Sequence, residues 1–180
     1  MVSSLNTWQA PARKVEHLAR LHSLLRQLPL ASGHNILSVG CGVFPESLTI
    51  RTTLPGWTLY GLDLDVDALR RAHQRDPGLH LIQADASHLP GLLHARFNLI
   101  LARHPDIFRH ERAWKRILCA LPEMLTPGGS LLVTLYAPEE ASLVRALSLP
   151  SPYPLAQDKL APVDLAGRDR FALAYATIES

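Results

Sequence analysis

The sequence predicts a three-layer α/β sandwich on a mostly parallel sheet with an antiparallel C-terminal strand. Three observations lead there. Short apolar runs recur at 36–39, 58–62, 79–83, 97–101, 130–135 and 171–178. Helical patterns fill most of the gaps, at about 46–53, 66–75, 110–124 and 138–147, and strands alternating with helices form parallel sheets through right-handed crossovers. Gly167-Arg168-Asp169 then reads as a hairpin turn into the last run, and an antiparallel final strand on a parallel sheet is common.

The elements follow in order. Pro11 suits a first helical turn, and Val15, Leu18, Leu21, Leu25 and Leu28 recur at helical spacing, which predicts an amphipathic helix over 11–28 closed by Pro29 and Gly33. It reads as a cover for one sheet face rather than a lid. Ile36-Leu37-Ser38-Val39 is a buried strand opening into Gly40-Cys41-Gly42, and Leu59-Tyr60-Gly61-Leu62 is its parallel neighbour, ending in Asp63. Thr126-Pro127-Gly128-Gly129 is a turn between helix and strand. The segment 148–169 carries Pro150, Pro152, Pro154 and Pro162 and reads as a long loop with a short strand near 162–165.

Composition narrows the class. The chain has 180 residues, of which 47% are hydrophobic, enough for one well-buried core. No stretch approaches the apolar length of a membrane span. Met1-Val2-Ser3-Ser4-Leu5-Asn6-Thr7-Trp8 lacks the charged-then-apolar order of a signal peptide, and Cys41 and Cys119 make no disulfide framework. A cytoplasmic location is the expectation. A net charge of +2, from 15 Arg and 3 Lys against 16 acids, is too small to argue for nucleic acid. No metal site is expected.

The chemistry concentrates after the first two strands. Glycines at 40 and 42 let the backbone approach a ligand with no Cβ in the way. A carboxylate at the tip of the next strand can accept both hydroxyls of a ribose. Together they point to an adenosine-containing cofactor across the carboxyl ends of the sheet. Asp63 and Asp65 are also both placed to cap the helix beginning near Val66, and Asp85 to cap a turn with Ser87.

Ser38-Val39-Gly40-Cys41-Gly42, Tyr60-Gly61-Leu62-Asp63-Leu64-Asp65, the run from Leu81 through Asp85 to Pro90, Phe97-Asn98-Leu99-Ile100-Leu101-Ala102 and Thr126-Pro127-Gly128-Gly129 stand in a fixed order. Over residues 34–136 this set resembles the class I S-adenosylmethionine-dependent methyltransferases, whose fold is Rossmann-like. The resemblance implies S-adenosyl-L-methionine as cofactor. It implies that Gly40, Cys41 and Gly42 pass under the methionine part and that Asp63 accepts the ribose hydroxyls. Leu64 would pack on the adenine, and Asp85 with the Ala86 amide would meet the adenine edge. It divides a single domain, 1–180, into an N-terminal helical cover (1–33), a cofactor-binding core (34–136) and a C-terminal helix, loop and strand (137–180). The chain departs from the pattern at Ser38, where an acid is usual, and near Phe44-Pro45, where a third glycine is usual. Glu46 is a substitute partner for the cofactor ammonium, although charging the first turn of the next helix is the expectation preferred for it.

The loop after the fourth strand, Arg103-His104-Pro105-Asp106, faces the transferring methyl group in this architecture. His104 is a candidate base because imidazole titrates near neutrality, and Asp106 is a candidate to orient it. Arg103 offers a fork for the cofactor carboxylate or an anionic acceptor, or else a surface salt bridge. Arg109, Arg112 and Arg116 share a face of the next helix, which reads as solvated rather than as an RNA surface, and Arg70, Arg71 and Arg75 read the same way. The reading favoured is methyl transfer to a small-molecule acceptor over RNA, with no membrane and with a homodimer allowed. Aminocarboxypropyl transfer from the same cofactor, implied by a resemblance of the Gly-x-Gly-x-x-Pro turn and the Asp-x-Asp pair to nicotianamine synthase-like enzymes, and a catalytically silent binding module are the alternatives. A nicotinamide enzyme is disfavoured by the missing third glycine.

Overall fold

The computed structural model describes residues 21–28, 30, 33–93, 95–148, 159–162 and 171–176. Helix α1 occupies 21–27 of the described residues. Strand β1 (Asn35–Val39) leads to α2 (Ser47–Thr53), β2 (Thr58–Asp63), α3 (Val66–Arg75) and β3 (His80–Gln83). Then come α4 (Leu89–Leu92), β4 (Phe97–Arg103), α5 (Glu111–Ala120), β5 (Leu125–Leu135), α6 (Pro138–Ser148), β6 (Lys159–Pro162) and β7 (Phe171–Ala176). The strands pair in the order β3-β2-β1-β4-β5-β7-β6. All pairs from β3 to β5 are parallel, and β7 is antiparallel to both β5 and β6.

Alternation along the strands builds two cores, one per sheet face. Leu37, Val39, Ile100, Leu131 and Val133 face one way and bury Ile117 and Leu118 of α5 and Val144 of α6. Ile36, Leu59, Leu99, Leu101 and Leu132 face the other way and bury Leu21, Leu24 and Leu25 of α1, Ile50 of α2, and Leu69 and Ala72 of α3. The described part of α1 is therefore a cover for one face, as its periodicity predicts; residues 11–20 lie outside the described part. Gly61 sits under the first turn, where an added Cβ would meet Cys41 Sγ at 2.9 Å, Leu81 Cδ2 at 2.9 Å and Phe44 Cδ1 at 3.0 Å. Gly61→Ala should therefore destabilise the protein by about 1–3 kcal/mol, read as a lower urea midpoint.

Several boundaries differ from the sequence reading. The helix expected over 110–124 stops at Ala120 and continues as a 3-10 turn over Leu121–Met124, because Pro122 has no N–H for the α ladder. Thr126-Pro127-Gly128-Gly129 is not a turn before β5 but an irregularity within it. The register steps from Phe97↔Leu125 to Leu99↔Ser130, so two positions on β4 span five on β5. Gly128 takes the slack at φ 70°, and Gly129 sits where a Cβ would come within 2.8 Å of the Thr126 carbonyl oxygen. The short strand expected near 162–165 lies at Lys159–Pro162, with its proline on the sheet edge where a missing donor is tolerated. The turn that Asp85 was expected to cap with Ser87 is the 3-10 turn Ala86–His88, and α4 carried no clear sequence signal. The hairpin expected at Gly167-Arg168-Asp169 lies outside the described residues.

Candidate functional site

The register Leu62–Val39–Ala102 sets the loops after β2, β1 and β4 side by side at one end of the sheet. Four large apolar side chains are exposed among the described residues, and all follow one of these strands: Leu48 after β1, Leu64 and Val66 after β2, Phe108 after β4. Four residues with positive φ share this end. Gly40 and Gly42 have φ of 65° and 54°, and Phe44 and His104 adopt 47° and 48°, which is costly for residues with a Cβ.

Asp63 closes β2 beside the glycine turn. Its Oδ2 accepts from the Gly42 amide at 2.7 Å and its Oδ1 from the Asp65 amide at 2.9 Å. A carboxylate has about four acceptor positions, so two remain for ribose hydroxyls. The capping role falls to Asp65, whose Oδ1 accepts from the amides of Asp67 and Ala68 at 2.9 and 3.0 Å. A Cβ built on Gly40 or Gly42 would meet nothing within 4 Å, so space for a ligand stands over both. Leu64, 66% exposed, is available as an apolar platform beside it. These residues fit an adenosine-containing cofactor.

Cys41 contributes backbone only. Its side chain is 5% exposed and packs into the second core. Burial pushes its thiol up to about 12, and the carboxylates of Asp63 and Glu46 add to the rise, so it is no thiolate at neutral pH. Asp85 begins the 3-10 turn, accepting from the Ser87 amide at 2.8 Å, with Ala86 buried behind it. The Ser87 amide and hydroxyl, with smaller help from the charges of His88 and Arg116, hold its carboxyl below the usual value. Asp85 therefore does cap the turn, and it stays an ionised acceptor with lone pairs to spare.

Glu46 corrects the sequence reading. It is the residue before α2, but its side chain makes no capping hydrogen bond. It turns inward, with Oε2 at 3.3 Å from Arg103 Nη1, and the two side chains are only 4% and 8% exposed. The salt bridge at Arg103 is thus a buried one, and it ties the first loop to the tip of β4.

His104 donates its backbone N–H to the Thr134 carbonyl at 2.9 Å, and its ring lies tilted against Tyr136 with centroids 4.7 Å apart. Asp106 is exposed and faces Arg109 Nη1 at 3.9 Å. Arg109 precedes α5 instead of sharing its face, and Arg112 and Arg116 are exposed on α5. Glu46, Arg75 and Tyr136 are the participants the sequence reading missed or misplaced. A groove of about 840 Å³ lies elsewhere, between α3 and β3, lined by Leu69, His73, His80 and Ile82 among others. It includes none of the glycine turn, Asp63, Asp85 or His104, so the site is assigned from the polar geometry.

Comparison with known proteins gives the family and the fold. The family described as methyltransferase domain matches residues 36–129. Trans-aconitate 2-methyltransferase of Afipia carboxidovorans is 31% identical over 134 residues, covering 71% of this chain and 50% of that protein. The enzyme of the same name from Paracidovorax citrulli is 28% identical over 119 residues, covering 62% and 42%. The chain spans about half the length of these relatives, or less. Among solved structures, S-adenosylmethionine-bound CalS10, an amino pentose methyltransferase from Micromonospora echinaspora, superposes with TM-score 0.71 at 14% identity over 98% of this chain and 99% of that one. The glycopeptide N-methyltransferase MtfA, complexed with S-adenosyl-L-methionine, gives 0.70 at 16% over 99% and 100%. At such identities the structures speak for the fold, and the matched core for the family: this chain belongs to the methyltransferase domain family, with the class I Rossmann-like architecture.

Proposed function

We propose that the chain uses S-adenosyl-L-methionine to methylate a small molecule carrying carboxylates. The observation that carries the cofactor half is the Asp63 carboxylate gripping the Gly42 amide beneath open space. The acceptor half draws on the relatives named for trans-aconitate. The cofactor supplies an electrophilic methyl group on a sulfonium centre. The protein's part is alignment and exclusion of competing groups. Asp63 takes the ribose hydroxyls, Leu64 the adenine face, and Asp85 with the Ala86 amide the adenine edge. Gly40, Cys41 and Gly42 give close backbone approach. Arg103 and Glu46, joined in their buried salt bridge, brace the first loop against the tip of β4 where the amino-acid end would lie. His104 stands at the tip of β4 to hold the acceptor. A carboxylate nucleophile has no proton to lose, so His104 then orients by donating a hydrogen bond; an alcohol or amine acceptor would make it the base.

The test is incubation of the purified protein with S-adenosylmethionine and a panel of di- and tricarboxylic acids. A methyl ester with stoichiometric S-adenosylhomocysteine is expected. Methylthioadenosine as product would establish aminocarboxypropyl transfer instead. Transfer confined to added RNA would sink the small-acceptor reading.

A further inference from the structure

The first loop lacks the third glycine and yet keeps a left-handed backbone where that glycine would stand. Phe44 sits there at φ 47°, with its side chain fully buried between Ile50, Leu59 and the rest of the second core. A bulky residue in that region costs roughly 1–3 kcal/mol and persists only when its surroundings hold it. The structure shows what does the holding. The Phe44 amide donates to the Cys41 carbonyl at 2.8 Å, and the Gly42 amide donates to Asp63. On the outer side, Arg75 Nη2 donates to the carbonyl oxygens of both Val43 and Phe44. Arg75 is the last residue of α3, and the next residue, Asp76, holds Arg51 of α2 at 2.9 Å. The end of α3 therefore grips the loop and the helix that follows it.

We infer that Arg75 is a positioning residue for the cofactor loop, clamping the Val43 and Phe44 carbonyls so that a loop without its third glycine keeps the shape the amino-acid end of the cofactor requires. Charge-assisted hydrogen bonds from one guanidinium nitrogen to two successive carbonyls suit this role, because they tie both peptide units to a single charge. Arg70 and Arg71, on the same helix, make no such clamp. Arg70 pairs with Asp67 at 2.9 Å on the surface, and Arg71 is exposed. The inference rests on the cofactor reading above.

The experiment compares S-adenosylhomocysteine with 5′-methylthioadenosine, which lacks the amino-acid end, by calorimetry on wild type, Arg75→Ala, Arg75→Lys and Arg71→Ala. Arg75→Ala should weaken S-adenosylhomocysteine by about tenfold or more, the loss of roughly one charge-assisted hydrogen bond. Methylthioadenosine affinity should hold, Arg75→Lys should recover part of the loss, and Arg71→Ala should match wild type. Arg75 is exposed, so its removal empties no part of either core, and the thermal midpoint reads any loss of stability. Unchanged S-adenosylhomocysteine affinity in Arg75→Ala would overturn the inference while leaving the cofactor reading standing. Equal losses for both ligands, tracking a lower thermal midpoint, would also overturn it by making the clamp merely structural. A wild type that binds neither ligand would bring down the cofactor reading and this inference with it.

Discussion

Asp63→Ala should lower S-adenosylhomocysteine affinity by at least about 100-fold. Two contributions add. The ribose loses two hydrogen bonds to a charged acceptor, each worth about 1.5–3 kcal/mol, and every 1.4 kcal/mol is about tenfold. The loop also loses the acceptor that holds the Gly42 amide at 2.7 Å, so the turn no longer waits in its binding shape. Asp63→Asn separates the two, since an amide oxygen can still receive the Gly42 amide while the charge is gone. It should fall between wild type and Asp63→Ala. Isothermal calorimetry reads all three. Wild-type affinity in Asp63→Ala would remove the central support of the cofactor reading.

The second large effect is on stability. Glu46→Ala leaves the Arg103 guanidinium in a pocket where its side chain is 8% exposed, and Arg103→Ala leaves a carboxylate that is 4% exposed. Removing one partner of a buried pair costs about 3–5 kcal/mol, because the survivor stays desolvated while the charge opposite it is gone. For a domain of this size that is a fall in Tm of roughly 6–20 °C. The double replacement Glu46→Met with Arg103→Met should regain most of the loss, since apolar groups of similar volume commonly substitute for such pairs without penalty. Urea unfolding of the three variants gives the comparison. If the double variant is stable but fails to bind S-adenosylhomocysteine, the pair is kept for the ligand rather than for the fold. Single variants with wild-type stability would show that the pair carries no such load.

Local pattern made most of the fold readable. The strands β1 and β4 are mostly apolar and buried on both faces, and short runs of this kind between turn residues read as core strands. Asp63 could be read because its position after β2 is set by that run. The misreadings share a cause: each depends on partners distant in sequence. Thr126-Pro127-Gly128-Gly129 has turn composition, and only the pairing of Phe97 and Leu99 turns it into an irregularity of the strand. Glu46 has the chain position of a helix-charging residue, and only the arrival of Arg103 from 57 positions away draws it inward. Arg75 looks like one of three solvated arginines until the loop over Val43 and Phe44 is folded above it. Tyr136 gave no signal at all, since an aromatic after a strand is ordinarily packing.

The two cores differ in when their helices exist. The helical cover of the face built on Ile36, Leu59 and Leu99 comes from α1, α2 and α3, all complete by Arg75. The opposite face, with Leu37, Val39 and Ile100, waits for α5 and α6, which end at Ser148. A ribosome delivers the chain N-terminus first, so the helices of one face are made before β3 to β7, while the other face waits for its own through about seventy further residues. The bare side is an apolar surface that the growing chain must keep from its neighbours until its own C-terminal helices arrive.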